Sequence, residues 1–155
     1  MSLKVKPIQD IGSKELDSLI NQSSTAWFES THQWRQYTLN MRESGSVDLS
    51  FGVFQDEKLV GFSQLIKELI FNSKEKFELS MAGFPSVYPI FSETLSIKNM
   101  HKVEKMIFGR IFEITQIHNI TYMNFFISPL CNSILNKEIT VSPMSKFGFH
   151  DTTIS

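Results

Sequence analysis

Cysteine is nearly absent: Cys131 is the single one in 155 residues. One thiol cannot form an internal disulfide, so a reduced, cytoplasmic setting is the natural reading. Excess charge of one sign is also missing. There are 15 Lys+Arg against 16 Asp+Glu, a net charge of −1, and no basic block. A DNA-binding protein is expected to carry a basic footprint, so that class is set aside. No apolar run approaches the ~18 residues of a membrane span. Lys4 and Lys6 stand near the start, but no apolar core follows them, which argues against a signal peptide. The histidines His32, His118 and His150 and the lone Cys131 show no metal-ligand spacing, so no metal site is expected. Cys131 has no nearby histidine or helix start to lower its pKa, and it reads as a buried filler rather than a nucleophile.

Phenylalanine, by contrast, is abundant, at 14 residues, and apolar residues make up 41% of the chain. That favours an aromatic-rich core over disorder. The length fits one domain and is enough to bury a core without staples. Leu3 to Ile8 reads as a short first strand ending near Pro7. Gly12-Ser13 opens a helix with Leu16, Leu19 and Ile20 on one face, and the polar stretch Asn21 to Thr25 ends it. Ser30-Thr31-His32-Gln33 fits a capping box. The helix it opens carries Trp34, Tyr37 and Met41 on one stripe and ends at Glu43 to Ser46.

Val47, Leu49, Phe51 and Val53 alternate with smaller or polar residues and predict a half-buried strand. A turn at Gln55 to Lys58 leads into a return strand that reaches about Ile70, making an antiparallel hairpin. Phe77 to Met81 is a third strand after a turn at Asn72 to Lys74. Gly83 to Pro89, with one glycine and two prolines, reads as an ordered loop. From Ile97 to His118 runs an amphipathic helix. Its apolar face is Met100, Val103, Ile107, Ile111, Ile114 and Ile117, and Asn119 ends it. Tyr122 to Ile127 is nearly all apolar, like a strand buried on both faces. Phe147 to Ile154 resembles a strand just beginning, whose exposed edge would seek a partner.

Four sets of residues are candidates for chemistry. His101 and Glu104 lie one turn apart beside Lys105, an arrangement that could do acid/base work, but a solvated helix face is the favoured reading because helix surfaces routinely carry such pairs. Trp27, Phe28, Trp34 and Tyr37 form an aromatic set that fits either a substrate groove or helix packing. Trp27-Phe28 also suits a staple onto the following helix. The loop Gly83-Phe84-Pro85 with Tyr88 is the best site candidate. Its glycine permits close approach, its prolines stiffen it, and Tyr88 brings a hydroxyl, although structural rigidity alone accounts for the pattern equally well.

The order strand, helices, antiparallel hairpin, strand, long helix, strand resembles a GNAT-like acyltransferase domain. Gly52 to Phe62 resembles the second and third strands of such domains. Ala82 to Pro89 resembles a loop of FemAB-type and related surface-carbohydrate acyltransferases, and Tyr122 to Leu130 the strand and exit after their long helix. The resemblance implies an α/β fold with a mixed, mainly antiparallel sheet flanked by helices. FemAB-type proteins carry two such halves, so it implies that residues 1–155 form a single domain, the N-terminal half of a longer transferase. It also implies transfer of an acyl or aminoacyl group to an amine of a cell-envelope precursor or sugar. The donor would be acyl-CoA or aminoacyl-tRNA, with no tightly bound cofactor. The partners would be a second GNAT-like half or another copy of the chain, and Gly83, Phe84, Pro85, Tyr88 and Trp34 would bind substrate or donor. The resemblance names no catalytic residue. One departure stands out. Acetyl-CoA-using members have a Gln/Arg-x-x-Gly-x-Gly/Ala loop before the long helix, whose amides cradle the pyrophosphate. Gly83 to Leu95 lacks that pattern, which keeps open the alternative of a non-catalytic GNAT-like binding module or a truncated remnant that pairs with a partner half.

Overall fold

The computed structural model describes residues 2–41, 45–139 and 141–151. One sheet has the order β1-β3-β4-β8, all antiparallel: β1 (Leu3–Pro7), β3 (Phe51–Gln55), β4 (Lys58–Ser63) and β8 (Ile90–Phe91). The other has the order β10-β7-β6-β5-β2: β2 (Val47–Asp48), β5 (Ile66–Leu69), β6 (Phe77–Met81), β7 (Phe84–Val87) and β10 (Phe125–Phe126). β9 (Ile120–Met123) lies parallel to β6, and β10 parallel to β7. The helices are α1 (Ser13–Gln22), α2 (His32–Met41), α3 (Ile97–Ile117) and the single turn α4 (Asn132–Leu135).

Three pairs of strands, β2 with β3, β4 with β5 and β7 with β8, run on from one sheet into the other. The seam lies at Leu49-Ser50, Gln64-Leu65 and Tyr88-Pro89. Ser50 bridges it: its Oγ accepts from the Leu65 amide at 3.0 Å, and the Leu49 amide donates to the Leu65 carbonyl at 2.8 Å. The return strand predicted to reach Ile70 is therefore two strands, broken where this side chain replaces a ladder bond.

α3 covers one face. Val103, Ile107, Phe108, Ile111 and Ile114 pack against Val53, Val60, Leu65, Leu79 and Phe125. Gly61 lets the helix come close, since a Cβ there would lie 2.7 Å from Val103 Cγ1. Ile117, expected on this face, is 66% exposed. Met100, also expected there, is exposed too, and Phe108 joins the buried stripe. α1 uses Leu16 and Leu19 against Phe54, Leu59, Phe62 and Ile90. α2 sets Trp34 and Leu39 on Ile66, Met81 and Val87.

The predicted α2 stripe is not the buried one. Tyr37 is 53% exposed and Met41 is exposed, whereas Arg35 and Thr38 are buried. The Arg35 guanidinium pairs with Asp48 on β2 and contacts His32 Nδ1 at 2.7 Å, so a polar anchor decides which face turns inward. The capping residue is Thr31 rather than Ser30: its Oγ1 accepts from the Trp34 amide at 3.3 Å. Part of the predicted helix end, residues 42–44, lies outside the described residues.

Three further expectations are corrected. Gly83 to Pro89 is not a loop but mostly strand, because Pro85 sits opposite Ser80 at a hairpin end, where a missing N–H does no harm. Tyr122 to Ile127 is not buried on both faces, and Tyr122 is exposed. Among the described residues β9 and β10 pair on one side only, as an edge. Ser145–Phe147 is a 3-10 turn followed by Gly148 at φ 85°, not the start of a strand. There Phe147 stacks on Phe108, with centroids 4.2 Å apart. Residues 152–154 of that expected strand lie outside the described residues.

Candidate functional site

Between Leu79, paired with Met123, and Ser86, paired with Phe125, the chain makes an excursion folded as a small hairpin. Ala82 at φ 55° and Gly83 at φ 86° form its tip. The buried Glu68 carboxylate holds that tip. It accepts from the Ala82 amide at 3.0 Å, the Gly83 amide at 3.1 Å and the Ser80 hydroxyl. Phe84 is exposed just past the tip. Pro85, with Phe126, Ile127, Pro129 and Met144, lines a mainly apolar cavity of about 430 Å³.

Tyr88 turns the other way, into the α3 face. Its hydroxyl donates to Glu104 Oε1 at 2.9 Å, and Lys146 donates to Oε2 at 2.5 Å. Burial first, and the Glu104 charge and hydrogen bond second, push the Tyr88 pKa well above the usual tyrosine range. Glu104 is 5% exposed, so the solvated-face expectation is corrected: the carboxylate points inward and is held from two sides. His101 remains on the surface.

Trp34 packs on the cluster of Ile66, Met81 and Val87, whereas Tyr88, just past the end of β7, belongs to the core under α3. Gly83, Phe84 and Pro85 therefore stay together, Tyr88 is buried under α3, and Trp34 joins a separate group. That group forms where the α1–α2 connection meets the seam. Gln64, which is 2% exposed, donates through Nε2 to the Glu29 carbonyl at 3.3 Å and contacts Met81 Sδ at 3.0 Å. Phe28 meets Trp34 edge-on at 5.2 Å, and the Tyr37 ring lies 5.3 Å from Trp34. Burial raises the Glu29 pKa, opposed by a hydrogen bond from its own backbone amide. Neither Glu29 nor Gln64 stands out in the sequence, since no spacing links a turn glutamate to a glutamine 35 residues on.

The entrance to α3 is a five-residue segment, Ser92 to Ser96. Ser96 caps the helix, accepting from the Asn99 amide. Ser92 Oγ accepts from the Thr94 amide at 3.4 Å, and the Ser92 carbonyl accepts from the Leu95 amide at 3.2 Å. Glu93 is exposed beside them, and Lys58 Nζ reaches Thr94 Oγ1 at 3.5 Å. Across the strand, the Phe91 amide, directed away from β4, meets Ser23 Oγ at 3.4 Å.

The sequence matches no protein-family model and no curated protein sequence. Solved structures do match in shape. A transcriptional regulator from Bacillus halodurans superposes with a TM-score of 0.61 at 5% identity, over 99% of this chain and 97% of that one. An aminoglycoside acetyltransferase from an uncultured soil sample, in complex with trehalose, gives 0.54 at 12% identity over 99% and 93%. A predicted acetyltransferase from Clostridium acetobutylicum, with acetyl-CoA, gives 0.52 at 11% over 97% and 92%. The fold is that of the GNAT acetyltransferases. At these identities the likeness concerns the fold alone.

Within a GNAT fold the segment before α3 is where a CoA diphosphate is expected, and this chain's residues do not fit one there. The Thr94 and Leu95 amides are already taken by Ser92, no glycine lets the backbone close around an anion, and Glu93 adds a negative charge. Among the described residues no group of three or more His, Cys, Asp or Glu is placed to hold a metal, and no helix is long and apolar enough to cross a membrane.

Proposed function

We propose that this chain is one half of an acyl- or aminoacyltransferase, a GNAT-like domain that positions an amine acceptor while a second half helps to hold the donor. The fold supports the reaction class. The observation that carries the division of labour is the self-satisfied segment Ser92 to Leu95, which leaves this half without a diphosphate cradle of its own. The donor is acyl-CoA or an aminoacyl-tRNA, and the acceptor an amine on a cell-envelope precursor or sugar. In such a transfer the acceptor amine is itself the nucleophile. The protein contributes proximity and hydrogen bonds, so neither a Ser/His/Asp triad nor a metal is required.

The test is donor binding by thermal shift. Acetyl-CoA and aminoacyl-tRNA are each added to the chain alone and to the chain co-expressed with the coding sequence downstream of codon 155. The expected result is stabilisation of the pair by one of the two donors and none of the isolated chain. If neither donor stabilises the pair, the transferase reading fails. The same missing cradle favours a second reading, a GNAT-fold binding module without catalysis, which predicts no donor binding in any combination.

A further inference from the structure

α3 gathers charge that the sequence spreads out. Lys98, His101, Lys102 and Lys105 follow one another at i, i+3, i+4 and i+7, so they share one side of the helix, and all four are exposed. Among the described residues none of the three lysines is in an ion pair. The two acids of the helix do not offset them. Glu113 pairs with Arg110, and Glu104 turns inward to Tyr88 and Lys146. A chain with a net charge of −1 thus carries a local stripe of positive charge. An open, mainly apolar groove of about 550 Å³ adjoins it. His101, Lys105 and Lys146 line this groove together with Phe112 and Phe147. Glu104 also lies there, with both oxygens already engaged. Gly109 keeps the groove open, since a Cβ on it would meet nothing within 4 Å.

We infer that this side of α3 binds a single-stranded nucleic acid. Its phosphates lie along Lys98, Lys102 and Lys105, and a base enters the groove against Phe112 and Phe147. Cations that track a backbone beside aromatic surface for unpaired bases are the chemistry of single-strand recognition. Length favours a strand over a mononucleotide. From Lys98 to Lys105 the helix rises about 10.5 Å, and a nucleic-acid strand carries one phosphate per roughly 3.4 Å of axis, so the stripe matches a run of phosphates. A duplex stacks its bases inside and has none to place in the groove. The inference stands on this face alone and does not depend on the transferase reading.

The test is fluorescence anisotropy with the full chain and a labelled adenosine decamer, made as RNA and as DNA. Binding by either strand at about 50 mM salt supports the site, and the tighter of the two names the source. Three phosphate contacts on a single strand give a log–log salt slope of about −2, so affinity is expected to fall about tenfold between roughly 50 and 150 mM salt. Lys102→Gln combined with Lys105→Gln is expected to bring that slope to about −0.7. Its melting temperature should not change, because both side chains are exposed. Gly109→Leu fills the groove and is expected to weaken the decamer about tenfold, as for the loss of one stacked base. The same variant should bind inorganic polyphosphate, which has no bases, as well as the parent does. No binding at low salt overturns the inference. So does equally tight binding of polyphosphate or of duplex DNA, or a salt slope that the lysine substitutions leave in place.

Discussion

Tyr88 shows how far a residue's role depends on the face its strand presents. The sequence marks it as a hydroxyl in a stiff loop. In the fold that hydroxyl is buried and committed to Glu104, with Lys146 on the other carboxylate oxygen. Removing it leaves a buried carboxylate short of a partner. Tyr88→Phe is therefore expected to cost about 1.5–3 kcal/mol in denaturant unfolding. The pH dependence has a definite sign. The folded-state pKa of Tyr88 is raised above its unfolded value of 10.0, so its contribution is fully present below that pH. Above it the unfolded chain releases the proton first and stability falls. The variant should lose less stability than the parent between neutral pH and pH values above 10, checked by urea melts at both. Spacing made Glu104 look like half of a surface pair, because nothing local reveals that Tyr88 and Lys146 converge on it from 16 and 42 residues away.

At the scale of elements, the sequence was most legible where periodicity meets an apolar face. The central stretch of α3, from Val103 to Ile114, lies where helical spacing puts it, whereas the strand predicted from Val47 to Val53 is split in two, with Val47 exposed and Phe51 to Phe54 buried on both faces. Legibility failed where a polar contact overrules the pattern. α2 carries an aromatic stripe but buries Arg35, because its guanidinium finds Asp48 on β2. The strand after Lys58 breaks because Ser50 takes over a ladder bond, and Gly83-Phe84-Pro85 forms a hairpin because Glu68 supplies acceptors for its tip amides. Each of these contacts joins residues distant in sequence, so no local window shows them. Asp48→Asn, which leaves the buried Arg35 without a counter-charge, is expected to lower stability by about 3 kcal/mol in the same urea experiment. A loss of a few tenths would mean that Arg35 is neutralised from elsewhere.

For the whole molecule, the resemblance read from the hairpin, the Ala82 to Pro89 stretch and the Tyr122 to Leu130 strand led to a GNAT-like architecture, and structural neighbours match it over nearly the full chain. The candidate site was less legible. Trp34 was singled out, but the contact of buried Gln64 with the Glu29 carbonyl joins residues 35 apart and shows in no local pattern. The missing glycines before α3 were visible in sequence, and the fold adds the reason that they matter: Ser92 consumes the amides that an anion would need. Together these features describe a GNAT-fold domain whose segment before α3 offers no diphosphate cradle, and the proposed function assigns much of the donor to another half. The most direct measurement is transfer of radiolabelled acyl group to glucosamine from acetyl-CoA and from aminoacyl-tRNA, by the chain alone and by the chain co-expressed with its downstream coding sequence. The account predicts labelled amide product from the pair and none from the isolated chain. Turnover by the isolated chain, or none by the pair with either donor, would contradict it.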